Sequence, residues 1–205
     1  MGEHGALLLA DISGYTGFLQ GVADAHRDLI IDVDEPPAAY ALMSSLLDVM
    51  VTSMVPPFRL AKFEGDAVFA VAPDADLALR GSAVLDCLRA CYAAFTARLG
   101  EANSRWTCTC GSCSRVQALD LKFVLHHGAY VVQRIAGQEE LLGPEVNVAH
   151  RLLKNHALEL VGGRPYALLT DAALAALDVP AEGMVATTET YDNIPPIPAH
   201  VLALV

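Results

Sequence analysis

The sequence predicts an α+β fold, with one mostly antiparallel sheet and helices packed on it. Three observations predict it. Short apolar runs bounded by turn residues recur along the 205 residues, as strands do. Some come in pairs around a glycine, 58–63 with 67–71 at Glu64-Gly65 and 118–125 with 129–135 at Gly128, which is a hairpin signal. Longer stretches with helical periodicity separate the pairs.

The elements follow in order. Residues 6–10 form an apolar run ending at Asp11, a buried strand, and Ser13-Gly14 turns the chain into a helix. Residues 32–37 are acidic and carry prolines, so a break between helices is expected there. In 38–54, Leu42, Leu46, Leu47, Met50 and Met54 can share one helix face, and Pro56-Pro57 stops that helix. After the first strand pair, 74–99 reads as a long amphipathic helix whose start at Asp74 and Asp76 suits negative charge. Residues 103–117 are polar and cysteine-bearing, a loop or insert, with Trp106 as a packing anchor. The second strand pair precedes a short helix at 146–154, a strand at 166–170 and a helix opened by Asp171 and Leu174. Strands at 185–190 and 201–205 finish a single domain spanning 1–205.

Composition narrows the function. With 54% apolar residues the chain can bury a core rather than stay disordered. A net charge of −11 excludes a nucleic-acid backbone as a partner, yet leaves room for a small phosphate ligand bridged by divalent metal. There is no apolar run of about 18 residues to span a membrane. Met1-Gly2-Glu3-His4 lacks the basic start of a signal peptide. A cytoplasmic protein is expected, and its five cysteines are then thiols or metal ligands rather than disulfides.

Asp11 at one strand end and Asp66 after the turn at Gly65 are carboxylates that two divalent ions could share. Oxygen ligands and retained water suit Mg²⁺ or Mn²⁺. Ser13-Gly14 places small residues and free backbone N–H groups beside them, where a phosphate could approach. The competing reading makes Asp11 a helix cap and Asp66 a turn residue.

Four motifs in order decide between these readings. Leu9-Ala10-Asp11-Ile12-Ser13-Gly14-Tyr15-Thr16, Lys62-Phe63-Glu64-Gly65-Asp66, His126-His127-Gly128 and Gly143-Pro144-Glu145-Val146-Asn147-Val148-Ala149-His150-Arg151-Leu152 span residues 7–153. Together they resemble the class III adenylyl and guanylyl cyclase catalytic domains. Residues 150–155 and the cysteine cluster resemble a subgroup of short, stand-alone cyclase-like proteins.

The resemblance implies a ferredoxin-like βαββαβ core and an activity, conversion of a nucleoside triphosphate to a 3′,5′-cyclic nucleotide and pyrophosphate. It implies two Mg²⁺ or Mn²⁺ ions on Asp11, Asp66 and the Ile12 carbonyl, with Ser13, Gly14, Tyr15 and Thr16 lining the substrate. It implies that Asn147 orients the ribose and Arg151 stabilises charge on phosphorus, a task suited to a permanently charged planar fork. Their spacing puts both on one helix face. Base choice falls on Lys62 and on Glu140, seven positions before Asn147, where most adenylyl cyclases carry Asp. A lysine donor and a carboxylate acceptor match adenine and oppose guanine, while cytosine copies adenine's order. ATP is therefore the expected substrate, with CTP not separated by these two residues. The resemblance also implies a head-to-tail homodimer, with the aspartates and the Asn/Arg pair meeting from different subunits. His126 and His127 are expected to be structural.

Two departures stand out. Family cyclases carry a late Lys or Arg on the terminal phosphates, whereas no Lys or Arg follows Arg164 here. Lys154, Arg164 and Arg134 are the candidate substitutes. Asp11 and Asp66 are also further apart than in the family, with the surplus around 28–37. A catalytically silent nucleotide-binding or sensory module, zinc- or redox-linked, is the alternative function.

Cys108, Cys110 and Cys113 fall within six residues, and Cys87 and Cys91 share a helix face. A tetrahedral Zn²⁺ site needs four ligands. The loop supplies three and the helix one, with Cys91 expected and Cys87 its rival. Free or redox-active thiols and inert core cysteines are the other readings.

Overall fold

The computed structural model describes residues 2–27, 38–76 and 78–205. The expected break at 32–37 and the surplus at 28–37 lie outside the described residues. The architecture is mixed α+β with a mostly antiparallel sheet, as expected. The elements are β1 (Gly2–Ser13), α1 (Tyr15–Ala25), α2 (Ala38–Met54), β2 (Arg59–Glu64), β3 (Ala67–Pro73), α3 (Ser82–Arg105), a 3-10 helix (Cys113–Ala118), β4 (Asp120–Ile135), β5 (Gln138–Leu142), α4 (Pro144–Arg151), α5 (Ala157–Leu160), β6 (Tyr166–Thr170), α6 (Asp171–Leu177), β7 (Val185–Tyr191) and β8 (Ile194–Ala203).

The sheet runs β2-β3-β1-β4-β6-β8-β7, with β5 paired to β4. Among the described residues, only β4 and β6 pair in parallel. Because side chains alternate along a strand, β1 feeds both faces. Ala6, Leu8, Ala10 and Ile12 join the core under α1, α2, α3 and α6, while Leu7 and Leu9 join the core under α4 and α5. Leu46, Met50, Leu88 and Phe95 seal the first face. Val146 and Ala149 of α4, with Leu152 just after it, cover part of the second. No helix among the described residues is long and apolar enough to cross a membrane.

Three boundaries differ from the sequence expectation. Gly128 is no hairpin turn: β4 runs unbroken through it, and the turn to β5 falls at Ala136 and Gly137, both at positive φ. The long helix begins at Ser82 rather than 74. Asp74 is held in a turn by its N–H to the His4 carbonyl and by its side chain against His127 Nε2 at 2.9 Å. Gly81, at φ 58, then redirects the chain into α3. Finally, β8 starts at Ile194 despite Pro195, Pro196 and Pro198. A proline cannot donate to a ladder. Those prolines lie where β8 pairs only with β7, and its pairing with β6 begins at Ala199.

Candidate functional site

Strand parity puts the candidate residues on the second face. Asp11 has the parity of Leu7 and Leu9, Lys62 is registered with Phe69, and Lys122 alternates with the inward Leu121 and Phe123. Asp11 ends the apolar run of β1, and Asp66 sits in the β2–β3 turn, where the Asp66 carbonyl accepts from the Ile12 N–H at 3.4 Å. Burial first, and the Asp11 charge second, hold the Asp66 carboxyl above its ordinary value. The two carboxylates therefore form one acidic pair. Gly14, at φ 85, turns β1 into α1, with Ser13 and Thr16 flanking the turn. The Tyr15 phenol is raised by burial and then by Asp66, so it belongs to the same neighbourhood.

Sequence reasoning missed Lys122. Its Nζ lies 2.8 Å from Asp11 Oδ2, directly across the β1–β4 register. The signal was a lysine set among the apolar Leu121, Phe123, Val124 and Leu125. Lys122 neutralises Asp11 in this arrangement, and two carboxylates with the Ile12 carbonyl are hard-oxygen groups of the kind that suit Mg²⁺ or Mn²⁺.

Lys62 and Glu140, 78 positions apart, are brought to 3.1 Å. Lys62 Nζ also lies 3.1 Å from Glu64 Oε1, and Glu64 Oε2 lies 3.1 Å from His150 Nδ1. This network ties β5 and β2 to α4. Burial lowers the His150 pKa, while Glu64 pulls it the other way. Of the three Lys62 donors, two are used. One Lys62 donor and the second oxygen of Glu140 make no contact among the described residues.

Asn147 and Arg151 are exposed on α4, whose Val146 and Ala149 are buried. They border an open cleft of about 570 Å³ with His150, Lys154 and the β7–β8 turn at Asp192, Asn193 and Ile194. Asp11 and Asp66 do not border that cleft.

His126 and Gly128 are structural. His126 Nδ1 meets Thr170 Oγ1 at 2.9 Å and its Nε2 meets Glu145 Oε2 at 2.7 Å. A Cβ on Gly128 would collide with the Glu145 side chain, so glycine here makes room for α4 rather than for a turn. Burial pushes the His126 pKa below the ordinary 6.5; Glu145 opposes this and neighbouring His127 adds to it. An unfolded histidine then takes up a proton that the folded one does not. Stability should therefore fall as pH drops below 6.5 and stay flat above it with respect to this group. Urea unfolding at pH 7.5 and 5.5 measures this, and His126→Gln should reduce the difference. An unchanged pH dependence in that variant would assign the effect elsewhere.

Cys108, Cys110 and Cys113 come together with His26, and Cys91 is not part of that group. Cys91 is buried under α3, its thiol donating to the Met50 carbonyl at 3.8 Å, and burial pushes it up to about 12. Burial also raises Cys87. No spacing rule links His26 to a loop 82 positions on. The missing fourth ligand was the only signal.

A family described as "Protein of unknown function (DUF2652)" matches residues 43–159, more than half of the chain. The chain belongs to this family. Beyond the DUF2652 match, "Uncharacterized protein Rv2561/Rv2562" of Mycobacterium tuberculosis (strain ATCC 25618 / H37Rv) is 32% identical over 152 residues, 73% of this chain. The chain spans 66% of that relative's length. Among solved structures, the DUF2652 chain is similar to the adenylyl cyclase CyaB from P. aeruginosa, with TM-score 0.68 and 14% identity over 98% of this chain and 95% of that one. The guanylyl cyclase Cya2 gives 0.62 and 13%, over 98% and 92%. A class III adenylyl cyclase-like ATP-binding protein from Pseudomonas aeruginosa gives 0.60 and 16%, over 87% and 35%. These likenesses establish a cyclase-domain fold.

Proposed function

We propose that this chain is a metal-dependent nucleotidyl cyclase that takes ATP and works as a head-to-tail homodimer. One observation carries the reading. The chain holds two half-sites: Asp11 with Asp66 at the β1 end, and Asn147 with Arg151 at a cleft those aspartates do not border. A second copy in the reverse orientation joins one half to the other, giving two equivalent sites.

Asp11, Asp66 and the Ile12 carbonyl would hold divalent ions, which would supply Lewis-acid activation of the ribose 3′-hydroxyl and charge neutralisation at the triphosphate. The residues of the chain do the rest. Asn147 fixes the ribose so that its 3′-oxygen faces the α-phosphorus, and pyrophosphate is the leaving group. Arg151 stabilises the charge that builds on the phosphoryl oxygens. The free Lys62 donor serves adenine N1 and the free Glu140 oxygen accepts from the N6 amine. Lys154, bordering the same cleft as Arg151, supplies the cation that the sequence lacks after Arg164.

The alternative is a silent nucleotide-binding module, favoured by that same missing late cation. Incubation with Mn²⁺ and ATP, GTP, CTP or UTP, followed by chromatography, separates the two. A cyclic product, with ATP preferred over GTP, is expected, and Lys62→Ala should narrow that preference. No product from any triphosphate, with the dimer verified, would select the silent module.

A further inference from the structure

Outside the nucleotide motifs, one imidazole nitrogen stands against three sulfurs. His26 Nε2 lies 3.5 Å from Cys108 Sγ, 3.4 Å from Cys110 Sγ and 3.4 Å from Cys113 Sγ. All four atoms lie within 4.8 Å of one another. An imidazole nitrogen carries one hydrogen or one lone pair, so three near-equal sulfur contacts exceed what hydrogen bonding can satisfy. They fit the edges of a coordination tetrahedron. Metal distances of about 2.3 Å to sulfur and about 2.0–2.1 Å to nitrogen put N···S near about 3.6 Å.

We propose that His26, Cys108, Cys110 and Cys113 bind one Zn²⁺ ion. Three thiolates and an imidazole in tetrahedral array are the donor set that selects zinc. The Cys113 N–H donates to Cys110 Sγ at 3.3 Å, as a backbone amide does to a metal-bound thiolate. Four protein donors leave no open position, so the site is structural rather than catalytic.

The local packing is built for this closure. His26 caps the end of α1, and the cysteines lie between α3 and β4. A Cβ on Gly21 would stand 2.8 Å from Ser112 Oγ, so glycine lets the cysteine loop press onto α1. At the other end of α1, a Cβ on Gly14 would stand 3.3 Å from the Ala118 carbonyl. The ion thus clamps α1, which starts at the turn beside Asp11, to the segment leading into β4, which carries Lys122. The clamp is independent of turnover, and its readout is metal content.

The test uses the full chain, expressed with added zinc and purified under reducing conditions. Elemental analysis should find about one zinc per chain. His26→Ala and Cys110→Ser should lose most of it, while Cys91→Ser and Cys87→Ser keep it. Because a ligand variant can fail to fold, wild-type protein reconstituted with Co²⁺ provides a second measurement. Intense visible bands and thiolate charge-transfer absorption of a tetrahedral site are expected. Folded wild-type protein without zinc, unchanged by a chelator and giving no such cobalt spectrum, would overturn the proposal. Loss of zinc in Cys91→Ser with retention in His26→Ala would overturn the ligand set.

Discussion

Asp11→Asn and Arg151→Ala should each lose cyclic-nucleotide formation, yet an equimolar mixture of the two should recover about a quarter of wild-type turnover. Each loss should be roughly 10³-fold, since one variant removes a metal-holding carboxylate and the other a charge on the transition state. Recovery follows from how the half-sites are distributed. In a mixed dimer, one site combines the intact aspartates of the Arg151→Ala chain with the intact arginine of the Asp11→Asn chain. The other site carries both defects. Random pairing makes half the dimers mixed, each with one working site of two. Chromatography of product after mixing and re-equilibration checks this. Two active single variants would remove the cyclase assignment. Two inactive variants that never complement, though they form mixed dimers, would place all the chemistry within one chain.

Gly5→Ala is expected to cost about 3 kcal/mol and to lower Tm by about 10 °C. Gly5 lies in β1 between β3 and β4, opposite Pro73 on one side and Gly128 on the other. A Cβ there would stand 2.5 Å from the Ala72 carbonyl oxygen and 2.9 Å from Pro73 Cα. Both are backbone atoms of a paired strand, so no side chain can swing away, and the β1–β3 spacing must open instead. Gly128→Ala should be costly too, because the added atom would collide with Glu145 Cβ and Cγ, which are fixed to the α4 backbone, so α4 itself would have to lift. Gly2→Ala, with nothing near its Cβ, is the control. A thermal scan of the three variants orders them, and an unshifted Gly5→Ala would mean that β1 and β3 can part at little cost.

Much of the arrangement was legible in the sequence because local chemistry fixed it. The apolar run before Asp11, the turn at Gly65 and the apolar spacing of 38–54 specify their elements without help from distant residues. Lys62 and Glu140 were named together through family resemblance, as groups facing one base, and the fold brings the two side chains to 3.1 Å. What local signals could not specify was tertiary. Gly128 reads as a turn until α4 is known to lie over it. Lys122 reads as an isolated charge until β1 and β4 are in register. Cys91 reads as a zinc ligand until its helix is packed, when its thiol faces the Met50 carbonyl and His26 is the side chain beside the three loop cysteines.

The sheet separates two apolar layers of unequal depth, and this has a kinetic consequence. The first layer is held by α2 and α3, which run 17 and 24 residues. The second is held by α4 and α5, which run 8 and 4. Short helices over a thin layer open without global unfolding. Backbone amides of α4 should therefore exchange with deuterium well ahead of those of β1. The helix bearing Asn147 and Arg151 should then open ahead of the sheet beneath it. A partner copy docked on that face would slow its exchange and leave the opposite layer untouched.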